Sequence, residues 1–95
     1  MIEGLKVTVT GEELKALCRR RASQHMDNAE LCDADAKRHR SNNLTIPAAK
    51  AEEKAEWHRG NVEEMNFIAE HVYITEEYRL NRADMQILGI VRNQW

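Results

Sequence analysis

The chain of 95 residues carries a formal net charge of −2; 42% of its residues are hydrophobic and 32% are charged. Only four glycines and one proline are present, which is typical of long helices and argues against disorder. The slight negative charge argues against general electrostatic attraction to nucleic acid. The length predicts a single domain over residues 1–95, with a core small enough that a second copy would help to stabilise it.

The sequence shows no signal for a membrane or for export. No apolar run approaches the length of a membrane span, and the N-terminus Met1–Lys6 lacks the apolar core of a signal peptide. Cys18 and Cys32 would lie roughly 21 Å apart on one helix, too far for a disulfide. We therefore expect a cytoplasmic protein with reduced thiols and no membrane partner.

The N-terminal part of the chain predicts a strand followed by a long helix. Residues 5–9 alternate apolar and polar side chains, which favours a short strand. Its mate would be Ile90–Val91 or a neighbouring subunit, because one strand alone is not stable. Thr10 and Glu13 have the spacing of a capping box. The helix that follows is predicted over 12–40 and ends at a Ser-Asn-Asn sequence.

The C-terminal part predicts a second long helix and two short helical segments. The predicted bounds are 47–73 for the long helix and 76–80 and 82–88 for the short segments. Thr45 or Ile46 is the expected N-cap of the long helix. Gly60 inside it costs ~1 kcal/mol relative to alanine, unless another group approaches the backbone there. Asn81 is the expected cap of the last segment, and Gly89 its stop signal.

Small residues and histidines recur every seven residues in both long helices. In the first helix the two series are Cys18, His25, Cys32, His39 and Ala22, Ala29, Ala36. In the second they are Ala48, Ala55, Val62, Ala69 and Ala51, His58, Met65, Val72. This 3-4 spacing places on each helix a narrow stripe, which we call the seam. The sequence thus predicts a mainly α fold: an antiparallel two-helix hairpin with an alanine-rich heptad seam, a short N-terminal β-strand and a short C-terminal helix.

The hairpin geometry predicts which seam residues meet. Folding about residues 43–44 pairs positions whose numbers sum to about 87. His25 then lies opposite Val62, and His58 opposite Ala29, so we interpret both histidines as packing elements. Six apolar side chains fall outside the seam and need another surface: Leu17, Met26, Leu31, Trp57, Phe67 and Ile68. This surplus predicts a homo-oligomer.

Basic and aromatic side chains beside the seam are the candidate ligand-binding residues. Guanidinium groups can hold phosphates, and aromatic rings can stack on a base. The predicted ligand-binding residues are Arg19, Arg20, Arg21, Trp57, His58, Arg59, Tyr73 and Tyr78. The alternatives are solvated helix faces for the arginines and hydrophobic contacts with another helix or subunit for the rings. Arg21 lies nearest the seam and is expected to have an acidic or anionic partner.

Neither a metal site nor a catalytic site is predicted. His25, Cys32 and His58 approach one another across the predicted seam, where a metal site or a pH-sensitive contact is the alternative to packed interface side chains. A closed zinc site needs about four ligands, and helical phase turns the neighbouring carboxylates elsewhere. The sequence has no nucleophile elbow, phosphate loop or HExxH motif. We therefore expect a non-enzyme without a cofactor.

The two ends of the sequence resemble small phage and prophage accessory proteins. The segments that carry this resemblance are Leu5–Leu14 and Glu77–Ile90. Proteins of this kind often act on the host. Some are oligomeric helical proteins that sequester the nucleotide signals of bacterial immune systems, and others block a host protein by surface contact. The resemblance implies an anti-defence role in the host cell cytoplasm, and it assigns no role to any residue.

Three functions are open at this point. The first is a non-catalytic oligomer that binds and sequesters a phosphorylated small ligand such as a nucleotide immune signal, with arginines on the phosphates and an aromatic ring on the base. The second is an adaptor or inhibitor whose apolar flank binds a host protein. The third is nucleic-acid binding through the local basic clusters.

Overall fold

The fold is an antiparallel pair of long helices with a small sheet and a short helix at one end. The computed structural model describes residues 7–90 of the chain. Its elements are β1 (Val7–Thr10), α1 (Gly11–Ser41), α2 (Thr45–His71), β2 (Glu77–Leu80) and α3 (Arg82–Ile87). The predicted mainly α class is confirmed, with its two-helix hairpin, short N-terminal strand and short C-terminal helix. The part of the predicted strand at residues 5–6 lies outside the described residues.

Local hydrogen bonds define both ends of α1. The Thr10 hydroxyl accepts from the Glu13 N–H at 3.0 Å, and the Glu13 carboxylate accepts from the Thr10 N–H at 2.8 Å, which is the predicted capping box. At the other end, the Asn42 N–H donates to the Arg38 carbonyl. Asn43 then adopts a left-handed φ of 61°, which asparagine tolerates better than most residues. These local signals place the observed ends within one residue of the prediction.

The start of α2 differs from the prediction. Leu44 is the N-cap and makes no side-chain capping hydrogen bond, so the expectation of a cap at Thr45 or Ile46 is wrong. Pro47 lies in the first turn, where a helix has no internal acceptor for an N–H. A Cβ added at Gly60 would meet no atom within 4 Å, so no close approach within the described residues offsets the intrinsic cost of this glycine.

The mate of β1 is the strand β2. The two strands are antiparallel, with Val7 opposite Leu80 and Thr10 opposite Glu77. The predicted helical segment over 76–80 is therefore wrong. A lone strand leaves a row of unpaired backbone groups that another strand satisfies, and this pairing overrides a local sequence that resembles a helix start. Leu80 is also carried into the core by the pairing, where it is 5% exposed.

The predicted pairing of the first strand with Ile90–Val91 is wrong as well. The Ile90 N–H donates to the Met85 carbonyl at 2.9 Å, closing the turn that ends α3. Gly89 adopts a φ of +73° at that turn, as expected for a glycine that terminates a helix. At the start of α3 the predicted cap is present, because the Asn81 side chain accepts from the Asp84 N–H at 2.9 Å. Val91 lies outside the described residues.

The hairpin is packed in two different ways along its length. Near the sheet, larger side chains form a core: Leu14, Cys18, Ala22, Val62, Met65, Ala69, Leu80, Met85 and Leu88. Towards the hairpin tip the buried apolar residues are Ala29, Ala36, Ala48 and Ala55. Alanine lets two helix backbones approach more closely than the usual separation of about 8–10 Å. The stability of the hairpin near its tip therefore depends on close contact between the two helix backbones rather than on the volume of buried side chains.

Polar pairs connect the helices along one long face of the hairpin. Arg19 donates to Asn66 at 2.7 Å, and Arg59 donates to Asp33 at 2.8 Å. A third pair, Arg40 with Glu52, lies nearer the tip. The three residues of these pairs on each helix lie on one face of that helix: positions 19, 33 and 40 on α1, and positions 52, 59 and 66 on α2. Because these pairs are exposed, each contributes only about 0.2–1 kcal/mol.

Both cysteines are free thiols, as predicted. Cys18 is buried and Cys32 is partly buried. Burial raises the pKa of the Cys18 thiol, and the nearby charge of Arg19 opposes that shift. Cys18 is therefore a core residue held in its neutral form. None of the helices in residues 7–90 is long and apolar enough to cross a membrane.

Candidate functional site

A cleft opens beside α3, where this short helix meets the hairpin. It has a volume of about 390 Å³ and receives side chains from all three helices. Its lining residues are Arg21, His25, Trp57, Asn61, Ala83, Gln86 and Ile87. Among the described residues, this lining contains one cation and no carboxylate. The cleft is therefore suited to an anionic group or a hydrogen-bonding ring rather than to a cation.

Trp57 forms an exposed wall of this cleft. Its side chain is 62% exposed, although its ring packs edge-on against His25, with the ring centroids 5.6 Å apart. It also packs edge-on against His58, at 5.0 Å. Asn61, one turn further along, donates from its side chain to the Trp57 carbonyl at 2.9 Å. The ring thus contacts both imidazoles and still presents surface to solvent.

Arg21 also lines the cleft and bonds to neutral partners. Its Nε donates to the Ile87 carbonyl at 3.2 Å, and its Nη1 donates to the Gln24 side chain at 3.0 Å. Within residues 7–90, Arg21 thus has no acidic partner, and the alternative of an anionic partner stays a prediction. Ile87 ends α3, where carbonyl groups lack partners within the helix. The arginine holds α3 against α1 while keeping its positive charge at the cleft.

His25 and His58 meet directly across the seam. Their Nδ1 atoms are 2.8 Å apart, so the predicted approach of the two rings across the seam is observed, whereas the interpretation of each histidine as a packing element opposite a small residue is wrong. His25 is only 3% exposed, and His58 is half-buried. The pKa of His25 is lowered by burial first, and then by the charges of Arg21 and His58. The two histidines form a polar contact in the wall of the cleft.

Three of the eight predicted ligand-binding residues come together here. Arg21 and Trp57 line the cleft, and His58 supports it through His25. The remaining predicted residues, Arg19, Arg20, Arg59, Tyr73 and Tyr78, lie elsewhere. The structure therefore brings three of the predicted residues together at the cleft and leaves the other five apart from it.

The arginines outside the cleft have other surroundings. Arg19 bonds to Asn66, and Arg20 lies beside Val9 in a separate depression at the sheet end. Arg59 donates to Asp33 and Glu56 on the polar face, and these hydrogen bonds, first the one to Glu56 and then the one to Asp33, raise its pKa. The charge of Arg59 is already neutralised, which makes it a poor phosphate ligand.

The two tyrosines lie at the end of the hairpin that carries the sheet. The Tyr78 hydroxyl accepts from the Tyr73 N–H at 2.9 Å, which fixes the connection between α2 and β2. Tyr73 is 71% exposed. Neither tyrosine ring lines the cleft beside Trp57. Their hydrogen bond instead stabilises the turn between α2 and β2.

The sequence did not identify all the residues of the cleft. The sequence predicts His25 for the seam and, as an alternative, for a metal or pH-sensitive contact, but not for ligand binding, and Asn61 follows Trp57 by four residues, a spacing that places both on one helix face. Ala83, Gln86 and Ile87 carry no signal in the sequence, because their contribution depends on how α3 docks. No group of three or more histidine, cysteine or acidic side chains able to hold a metal occurs within residues 7–90.

A second cleft lies near the hairpin tip. It has a volume of about 450 Å³, and its lining residues are Cys32, Asp35, His39, Ile46, Pro47, Lys50, Ala51 and Lys54. Among these residues there is no large aromatic wall, and charges of both signs are mixed, so this cleft offers less for specific recognition than the Trp57 cleft.

No protein-family model matches the sequence, and no curated protein or solved structure shows significant similarity to it.

Proposed function

We propose that the chain is a non-catalytic helical protein that binds and sequesters a small phosphorylated ligand carrying an aromatic base. The observation that carries this proposal is the pairing of an exposed indole, Trp57, with a cation on neutral partners, Arg21, in one cleft whose described lining has no carboxylate. The resemblance to phage accessory proteins extends the proposal to nucleotide signals of bacterial immunity, which combine a base with phosphate charge.

The chemistry of the two walls matches the two parts of such a ligand. Stacking of a base on an aromatic side chain contributes about 1–3 kcal/mol. Arg21 uses Nε and Nη1 within the protein, while Nη2 has no partner among the described residues and can donate to a phosphate oxygen. A hydrogen bond to a charged group contributes about 1.5–3 kcal/mol. Asn61 and Gln86 add polar groups for the edge of the base.

A nucleotide panel tests this proposal. Linear and cyclic mono- and dinucleotides are added to the protein, and the melting temperature is recorded. At a ligand concentration about 100 times Kd, binding stabilises the folded state by about 2.7 kcal/mol, which corresponds to a rise of about 11–22 °C in the melting temperature. Trp57→Ala is expected to abolish the rise, whereas Phe67→Ala, which removes another exposed aromatic ring of α2, retains it.

An arginine pair provides a second control. Arg21→Gln is expected to weaken binding at least about tenfold, because ~1.4 kcal/mol corresponds to one decade, while Arg20→Gln leaves it unchanged. If no nucleotide raises the melting temperature of the unmodified protein, the proposal is wrong. Equal binding by Trp57→Ala and the unmodified protein would place the ligand elsewhere.

Self-association is the second part of the proposal. Four of the six apolar side chains outside the seam are more than 40% exposed: Met26, Leu31, Trp57 and Phe67. Most of these side chains are therefore not covered by other described residues. Light scattering at micromolar concentration is expected to give at least twice the chain mass of 11.0 kDa. If light scattering gives the mass of one chain across the micromolar range, the proposed self-association is wrong. The ligand proposal is tested separately by the nucleotide panel.

An adaptor or inhibitor of a host protein is the second candidate function. It is favoured by the apolar rim of the cleft, where Trp57 and Ile87 are 62% and 53% exposed. Such a rim can anchor a protein partner. Pull-down from bacterial lysate with the unmodified protein and with Trp57→Ala distinguishes it from nucleotide binding. Binding to random DNA that falls steeply with salt would instead indicate the third function, nucleic-acid binding.

A further inference from the structure

The His25–His58 contact restricts how many protons the two rings can hold. Two Nδ1 atoms at 2.8 Å form a hydrogen bond only if one carries a hydrogen and the other presents a lone pair. With both rings neutral, one Nδ1–H donates to the other ring. With one additional proton, an imidazolium donates to a neutral ring, and the contact persists.

A second additional proton is incompatible with this contact. Both Nδ1 atoms then carry hydrogens, so neither can accept, and two positive rings lie with their centroids 5.1 Å apart. Like charges that share a site oppose each other's ionisation. The contact must therefore break when both rings are charged.

Within residues 7–90, the charged groups that act on His25 are both basic side chains, Arg21 and His58. From α1, the charged group at the cleft is Arg21, which is itself a cation. From α2, Arg59 is next in sequence to His58, but it is bonded to Asp33 and Glu56. The residues that α3 contributes to the cleft are neutral, and no carboxylate is among the lining residues.

We propose that the His25–His58 pair is a pH-sensitive switch in which uptake of the second proton separates the rings and releases Trp57 from the cleft wall. His58 is the ring that moves, because it is half-buried whereas His25 is buried. Trp57 responds because it packs edge-on against both rings. The switch belongs to the free protein and does not depend on the proposed ligand.

The accompanying change in stability has a definite sign. The fold lowers the pKa of His25 below its ordinary value of 6.5, so the unfolded chain binds this proton more readily. Stability that depends on His25 is therefore fully present above 6.5 and is lost as the pH falls towards the folded-state pKa. Acid thus weakens the seam at the level of Trp57.

Fluorescence and NMR of the ligand-free chain test the switch. In a Trp95→Phe background, Trp57 is the only indole, and its emission is followed from about pH 8 to about pH 5, a range that spans histidine titration. Emission is expected to shift to longer wavelength in step with protonation of the second ring, which is followed by NMR of the imidazole nitrogens. Excess chelator throughout removes any metal from the measurement.

Matched variants decide the origin of the shift. His58→Gln keeps a polar side chain at a half-buried position, so the fold should persist, and it is expected to remove the shift. His39→Gln changes a seam histidine outside the pair and is expected to retain it. The switch is overturned if His58→Gln follows the same emission curve as the parent, or if NMR shows both rings charged while contacts between them persist.

Discussion

Gly11→Ala is expected to destabilise the protein by about 3 kcal/mol, because overpacking costs about 1–3 kcal/mol and more against an unyielding neighbour. A Cβ at Gly11 would lie 1.9 Å from the carbonyl oxygen of Tyr73 and 2.9 Å from the Cα of Ile74. These obstacles are backbone atoms, so no side chain can rotate away. The Gly11 N–H also donates to the Glu76 carbonyl at 2.7 Å, so α1 cannot move aside without losing this bond.

Thermal and urea denaturation measure this effect. A loss of about 3 kcal/mol should lower the melting temperature by more than about 10 °C in a chain of this size. Gly60→Ala is the matched control. It adds the same methyl group where nothing lies within 4 Å, and it is expected to stabilise the protein by about 0.5–1 kcal/mol. A Gly11→Ala variant as stable as the parent would contradict the observed packing of α1 on the turn before β2.

Ala55→Leu is expected to cost at least about 2 kcal/mol by overpacking the seam. Ala55 is completely buried, as is Ala48 in the same heptad series. Three additional carbon atoms at this position must push α1 and α2 apart. Separation would also disturb the neighbouring buried alanines, because they depend on the same close approach of the two helices.

The control for this substitution is Ala34→Leu. Ala34 is exposed on the outer face of α1, so leucine there should change the free energy of unfolding by no more than about 0.5 kcal/mol. Urea denaturation of both variants gives the comparison. If Ala55→Leu is as stable as the parent, the two helices are not in close contact at the seam. A change in light-scattering mass would show instead that the variant relieves the strain by altering self-association.

Only part of the candidate site could be predicted from the sequence. Arg21 and Trp57 were both predicted as ligand residues because they flank the seam, and they do line one cleft. The sequence did not indicate the hydrogen bond from Arg21 to the Ile87 carbonyl, 66 positions away. A contact of this kind depends on where α3 docks, and residues 82–87 contain no signal for that position. The other neutral partner of Arg21 is Gln24, three residues further along α1, so that contact is local and does not depend on α3.

The His25–His58 contact shows how the identity of its partner changes the interpretation of a residue. The heptad pattern correctly placed both histidines at the interface. The predicted pairing gave each of them a small partner, which favoured packing over the alternative of a pH-sensitive contact, and the 2.8 Å distance between their Nδ1 atoms reverses that preference. Helical periodicity specifies which face of a helix is buried, but it does not specify the displacement of one helix along the other.

The sequence by itself determined the mainly α class, the two long helices, their alanine-rich seam and most of their ends, because periodicity, capping and turn formation are local properties of the chain. The tertiary structure decided the features that join distant segments: β2 as the mate of β1, the docking of α3 through Arg21, the contact between His25 and His58, and thereby the cleft beside Trp57. Each of these requires two elements to meet at a particular register, and the free energy of such a contact depends on both partners at once.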